Sequence, residues 1–330
     1  MNYVDLTTHL SMDEHVYITG HIHPDGDCIG AALAMYHLLD HTGYRVSVVL
    51  ENRPRGYDFL KGYADIITQE EYQQNKESLL NAPYQLIVVD SGDLSRIEPF
   101  LELFNKATCT FNIDHHSSNT HFGDYQHVDV DASSTCEVIG MMLNLEKNGT
   151  IQDLNVATAL YTGIIYDTGL FKHDCTRKET HLIAAKLVDG GVNQTFLINK
   201  LYFTKTLKSL KALEIALSNI QAIQQGHIVL TYISYEQMCE HALEKSDTES
   251  IVNQLIEVDT AKVSCFILGL DYNKYKISFR SNSSINVCEI AQKYQGGGHV
   301  KAAGCSIDGQ LNDIVKLFTR ELVDAYERNS

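Results

Sequence analysis

Short apolar runs alternate with helically spaced apolar positions over the first third of the chain. Residues 16–19 form a β-branched and aromatic run that ends at Gly20-His21. Ile29, Leu33, Tyr36 and Leu39 then recur near the helical period, and Gly43 follows as a C-terminal stop. Residues 46–50 predict a second strand. The near-continuous apolar run QLIVVD at 85–90 predicts a third, and TCTFNID at 108–114 a fourth, with helical segments between them. Strand-helix alternation of this kind predicts an α/β fold, a parallel sheet with helices on both faces.

From about Leu154 to Gln224 the pattern is mostly helical. It includes residues 177–189, closed by Gly190-Gly191, and a stretch from Thr204, KTLKSLKALEIALSNI, that reads as one extended amphipathic helix. Strand-like runs return at 227–233, 261–270 and 274–280, the last after a Tyr272-Asn273 turn. A helix at 287–294, the run Gly296-Gly297-Gly298-His299 and a helix at 312–326 complete the chain. The expected organisation is an N-terminal domain at 1–195, a helical linker at 196–225 and a smaller C-terminal α/β domain at 226–330. No internal repeat or low-complexity tract interrupts it.

Composition narrows the class. A length of 330 residues suits two domains, and 44% apolar with 21% charged residues is ordinary for a globular enzyme. The N-terminal MNYVDLTTHLSM has no basic region followed by an apolar core. No apolar run approaches the roughly 18 to 20 residues that span a bilayer, so a soluble cytoplasmic protein with no membrane partner is expected. Eight cysteines without a C-x-x-C pair predict reduced, buried thiols and no zinc ribbon. A net charge of −16 opposes tracking along long nucleic acid. It leaves open a short phosphorylated ligand held by local divalent cations.

Four clusters carry chemistry. His21-Ile22-His23-Pro24-Asp25-Gly26-Asp27 follows a predicted strand and opens a predicted helix, the place where ligands bind in open α/β sheets. Its nitrogen and carboxylate donors suit Mn²⁺ or a similar ion, although a polar turn with a capping aspartate has the same residues. Asp90 ends the third apolar run and is placed to bridge two metals. Asn112-Ile113-Asp114-His115-His116 closes the fourth, and Asp167 follows the apolar run 160–165. One sheet would gather the first three strand ends. Two histidines and four aspartates suffice for two divalent ions sharing a carboxylate, which activate hydroxide and stabilise a phosphoryl group under in-line attack.

These residues resemble the DHH phosphoesterase family. Asp114-His115-His116 is its namesake triplet, and His21-x-x-x-Asp25-x-Asp27, Asp90 and Asp167 match its other motifs in order. The resemblance implies one metal at His21, Asp25 and Asp90, a second at Asp27, Asp90, His115 and Asp167, and His116 on substrate phosphate. Gly296-Gly297-Gly298-His299 with Ala302-Ala303-Gly304 resembles the signature of the DHH-associated C-terminal domain. Ser278-Phe279-Arg280-Ser281 resembles the strand beside that glycine loop. Substrate binding by Arg280, Ser281 and the residues from Gly296 to His299 follows from the resemblance. Size is most similar to the NrnA-like subgroup, which implies short RNA, linear dinucleotides or 3′-phosphoadenosine 5′-phosphate as substrate. Cys28 stands where a smaller residue is expected, and His23 adds an imidazole beside the metal site. Family II pyrophosphatases share the N-terminal motifs and leave pyrophosphate or polyphosphate as an alternative substrate. A nucleotide-binding regulator without turnover is a third reading. Homo-oligomerisation is left open.

Overall fold

The computed structural model describes residues 2–329, which form two compact units divided between Thr204 and Lys205. In the first, β1 (His15–Thr19), β2 (Val46–Leu50), β3 (Ile67–Thr68), β4 (Tyr84–Val89), β5 (Cys109–Asp114) and β6 (Tyr125–Val128) form one sheet. Its order is β3-β2-β1-β4-β5-β6 and every pairing is parallel. Alternate side chains explain why the central strands read as continuous apolar runs. Ile87 and Val89 pack on one face with Val16 and Ile18, while Leu86 and Val88 pack on the other with Tyr17, Tyr72 and Phe100. Both faces are covered, so neither carries a polar stripe. The edge strands β3 and β6, of two and four residues, were not among the predicted strands, being too short to show a period.

Helices Gly26–His41 and Leu154–Asp167 pack together against the first face. Gly30 and Gly163 permit the close approach. A Cβ on Gly30 would meet the Ala159 carbonyl at 2.6 Å, and one on Gly163 would meet Asp27 Oδ1 at 2.5 Å. This packing delivers Asp167, the last residue of its helix, towards Asp27.

In the second unit β7 (Gln221–Ile223), β8 (Ile228–Ile233), β9 (Val263–Asp271), β10 (Lys274–Ser281), β11 (Gly297–His299) and β12 (Ala302–Asp308) form a sheet of order β11-β12-β10-β9-β8-β7. Among the described residues only β8 and β9 of this sheet pair in parallel. One face packs on helices Val287–Gln292 and Leu311–Arg328, the other on Leu207–Ser218 and Ile251–Ile256.

Two expectations change here. The helix expected from Thr204 as a connector is Leu207–Ser218, and it buries Ala212, Ile215 and Ala216 in the second unit's core. The preceding run ends in helix Gln194–Ile198 and a π-turn at Asn199–Phe203, within the first unit. The glycine run, expected as a loop, is partly strand. Gly297, Gly298 and His299 pair with Gly304, Ala303 and Ala302 of β12. β12 therefore lies between β10 and the glycines, which are not direct neighbours.

All eight cysteines are free, as expected. Only Cys28, Cys136, Cys265 and Cys305 are buried, and Cys175 and Cys239 are exposed. Among the described residues no helix is long and apolar enough to cross a membrane.

Candidate metal centre and active site

The carboxyl ends of β1, β4 and β5 gather the predicted donors. His21 is 6% exposed, and its Nδ1 lies 2.8 Å from the Ile22 carbonyl. That bond turns Nε2 towards Asp90 Oδ2 at 3.3 Å and Asp25 Oδ1 at 3.7 Å. Asp25 caps helix Gly26–His41, accepting from the amides of Asp27 and Cys28. Its second oxygen is not used by the cap.

Asp90 falls one residue past β4, at φ +54°, a conformation that only a few non-glycine residues adopt. Its amide donates to the Ile113 carbonyl and its Oδ1 accepts from Thr135 Oγ1 at 3.1 Å. The left-handed turn swings the carboxylate back over the sheet end, between the two histidines. His115 Nε2 lies 3.7 Å from Asp90 Oδ1 and 3.3 Å from Asp167 Oδ2. Donor atoms of Asp27, His115 and Asp167 lie within 4.8 Å of one another. So do those of His21, Cys28 and Asp90, and those of Asp90, His115 and His116.

Electrostatics show what this cluster lacks. Burial, with the Asp90 charge added, pushes the fully buried Asp27 carboxyl up to about 7. Burial and then Asp27 and Asp90 push Asp167 well above the usual carboxylate range. Burial opposes charge on His21, yet Asp25 and Asp90 raise it to about 10. Crowded carboxylates thus take up protons for want of other positive charge. Nitrogen and hard oxygen donors in this arrangement fit divalent cations of the Mn²⁺ or Mg²⁺ type.

His116 is placed differently. Its Nδ1 is 2.7 Å from Asp114 Oδ1, and this bond, more than burial opposes it, raises the imidazole pKa. Burial alone would raise Asp114, but hydrogen bonds from His116 and Asn119 hold it below its ordinary value. Asp114 is therefore an orienting anion behind His116. His23 is a surface residue, its side chain 82% exposed and its Nδ1 3.0 Å from Glu51.

Sequence reasoning missed the groups that hold these donors. Helix Thr135–Met142 aims its first amides at Asp27: Thr135 N is 2.6 Å from Oδ2 and Cys136 N 2.9 Å from Oδ1. A helix N-terminus is a natural partner for a buried carboxylate. The Ser133-Ser134-Thr135 run before an apolar helix is the usual capping signal, and Ser134 is the cap. Asn119, five residues past Asp114, joins Asn112, Ser91 and Asp114 through its amide.

In the second unit Arg280 and His299 are both cross-strand partners of Ala302, so they share one sheet face. Arg280 Nε donates to Asn253 Oδ1 at 2.8 Å. Ser281, adjacent on β10, turns to the opposite face, where its hydroxyl meets Ser283. A Cβ on Gly296 would collide with the Gly304 carbonyl, and one on Gly298, at φ +137°, with the Ala302 carbonyl. Gly297 faces open space and has no atom within 4 Å of such a Cβ.

A buried acidic centre backed by an oriented histidine is the equipment of a metal-dependent phosphoesterase, and sequence comparisons agree. The DHH family N-terminal domain model matches residues 15–164, and the DHHA1 domain model matches residues 225–324. The bifunctional oligoribonuclease and PAP phosphatase NrnA of Thermus thermophilus is 31% identical over 314 residues, covering 95% of this chain and 87% of that protein. The protein of the same name from Bacillus subtilis is 26% identical, with 92% of each chain covered. A crystal structure of an exopolyphosphatase-related protein from Bacteroides fragilis has a TM-score of 0.85 at 26% identity, covering 94% of this chain and 92% of that one. The chain belongs to the DHH family of phosphoesterases, and within it is NrnA-like.

Proposed function

We propose that this enzyme hydrolyses phosphoester bonds in short oligonucleotides, linear dinucleotides or 3′-phosphoadenosine 5′-phosphate, using two divalent ions, most readily Mn²⁺. The observation that carries the reading is Asp90, lodged between two histidine-carboxylate groups in a left-handed turn. His21, Asp25 and Asp90 would hold one ion, and Asp27, Asp90, His115 and Asp167 the other. When bound, such ions lower the pKa of a water nucleophile and offset phosphoryl charge. His116, oriented by Asp114 and with its pKa raised by that bond, would donate from its other ring nitrogen to a phosphoryl oxygen. The Thr135 and Cys136 amides keep Asp27 oriented whether or not it carries a proton. Arg280, His299 and the Gly297 backbone supply anion contacts on the second unit, and Ser281 supports the turn after β10. The working site is cytoplasmic, with a short RNA or small nucleotide as partner.

The test is product formation with Mn²⁺ on a short 5′-phosphorylated RNA and on 3′-phosphoadenosine 5′-phosphate, beside pyrophosphate. Mononucleotide from the first or phosphate from the second is expected. Preference for pyrophosphate would overturn the substrate assignment. Tight nucleotide binding without product would favour a regulator.

Gly297 provides a separate check on the second unit. Gly297→Ala adds a methyl group that meets nothing within the fold. Stability should hold within about 0.5 kcal/mol, apart from the ordinary cost of a surface substitution. If substrate approaches this backbone, KM should rise about tenfold with kcat little changed. Unchanged KM would remove the glycine run from the binding surface.

A further inference from the structure

A second concentration of charge lies in the second unit, and it has the opposite sign. The sheet face formed by β9 and β10 carries a cavity of about 230 Å³. Lys276, Ser278 and Arg280 project from alternate positions of β10 onto this face, with Phe266 and Leu268 of β9 as an apolar floor. Lys245, on the turn Lys245–Thr248, also lines the cavity, beside Lys276.

Three cations therefore surround a cavity in a chain whose net charge is −16. Neither lysine forms an ion pair within 4.0 Å among the described residues. Glu249 is the one carboxylate in the lining, so three cations against one anion leave a net charge of about +2. An excess of like charge raises the energy of the empty cavity, and a bound anion relieves that cost. Lys276 already registers it. Burial and then the neighbouring Lys245 ammonium lower its pKa, only partly opposed by Glu249. Arg280 is held over the cavity by its bonds to Asn253 and to the Phe279 carbonyl.

We propose that Lys245, Lys276 and Arg280 form a binding site for the dianionic phosphate monoester of a nucleotide. A phosphate monoester carries close to two negative charges above its second pKa of about 6, which matches the charge of the cavity. The nucleotide follows from the functional reading above, because Phe266, Leu268 and Val252 are buried and leave the contact to the polar side chains. The proposal shares Arg280 with the functional reading above but rests on the two lysines. It separates two sources of the phosphate: the terminal phosphate of a substrate, and a free nucleoside monophosphate.

Titration of the full-length protein in EDTA with AMP and with adenosine tests it without turnover. Withholding metal leaves the acidic centre repelling the anion, so binding reports the cationic cavity. AMP should bind at least tenfold more tightly than adenosine. The Lys245→Gln/Lys276→Gln double variant, which keeps most of each side chain, should lose at least tenfold in AMP affinity. Lys276→Arg should restore part of it in the Lys245-intact chain relative to Lys276→Gln. Equal binding of AMP and adenosine, or an unchanged double variant, would overturn the proposal. The source follows from kcat/KM with Mn²⁺ for a dinucleotide with and without a 5′-phosphate. If the double variant loses the preference for the phosphorylated form, the phosphate belongs to the substrate. If the preference survives while AMP affinity falls, the ligand is a separate nucleotide. Failure of hydrolysis on every substrate would sink the functional reading and leave the AMP result standing by itself.

Discussion

Asp90→Asn should lower kcat on a dinucleotide by on the order of 10³-fold while leaving the fold intact. The loss is large because one carboxylate serves both halves of the centre, with His21 at 3.3 Å and His115 at 3.7 Å. Asparagine is a cleaner replacement than alanine. Asp90 sits at φ +54°, which asparagine tolerates and alanine tolerates poorly, so Asp90→Ala mixes lost chemistry with backbone strain of about 1 kcal/mol. Removing the charge also relieves Asp27 and Asp167, whose pKa values Asp90 helps to raise. Asp90 also supports the charge on His21, so the two effects oppose each other and metal-free Asp90→Asn should melt close to the metal-free wild type. Steady-state kinetics and calorimetry on the same samples check both parts. Near-normal turnover would remove Asp90 from the centre, and a large drop in melting temperature would make its role structural.

The second large effect is on stability. In EDTA the first unit should become less stable as pH rises from about 5 to 8. Asp27 has a folded pKa of about 7, above its unfolded value, so the folded state binds more protons than the unfolded state in between. Stability from that proton is fully present below the unfolded pKa and is lost as pH rises through about 7. Asp167 is shifted in the same direction, and His21, raised to about 10, continues the decline at higher pH. Asp25 and Asp114 are lowered, so their contribution is lost only in acid, as pH falls below the ordinary carboxylate range. Saturating Mn²⁺ should reverse the trend, because a cation replaces the protons and binds better as they leave. At a hundredfold excess over Kd the gain is about 2.7 kcal/mol. That corresponds to about 5 °C or more for a unit of this size. A metal-free melting temperature that rises from pH 5 to 8 would contradict the electrostatic account.

The parts of this molecule that were legible in sequence are those where one strand or helix decides the matter. Central strands β1, β4 and β5 announced themselves because both faces are buried, and the donors at their ends followed. The two-residue β3 has no period to read. Leu207–Ser218 was legible as a helix. Its destination was not, because an amphipathic stripe says that a face is buried and not against which unit. Gly297–His299 was read as a loop because glycine has weak strand propensity, whereas β12 supplies the pairing that makes it a strand. At the metal centre the donors were visible and their supports were not. The Thr135 and Cys136 amides are more than 100 residues from Asp27. Backbone groups leave no residue signature, and only the packing allowed by Gly30 and Gly163 brings these segments together.

The most direct measurement is the number of Mn²⁺ ions bound per chain, by equilibrium dialysis and elemental analysis, in wild type and Asp90→Asn with initial rates taken on the same samples. The account predicts two ions in the wild type, activity that rises with their occupancy, and loss of at least one ion with the activity in the variant. Full turnover by wild-type protein holding no divalent ion, or two firmly held ions and normal rates in Asp90→Asn, would contradict it.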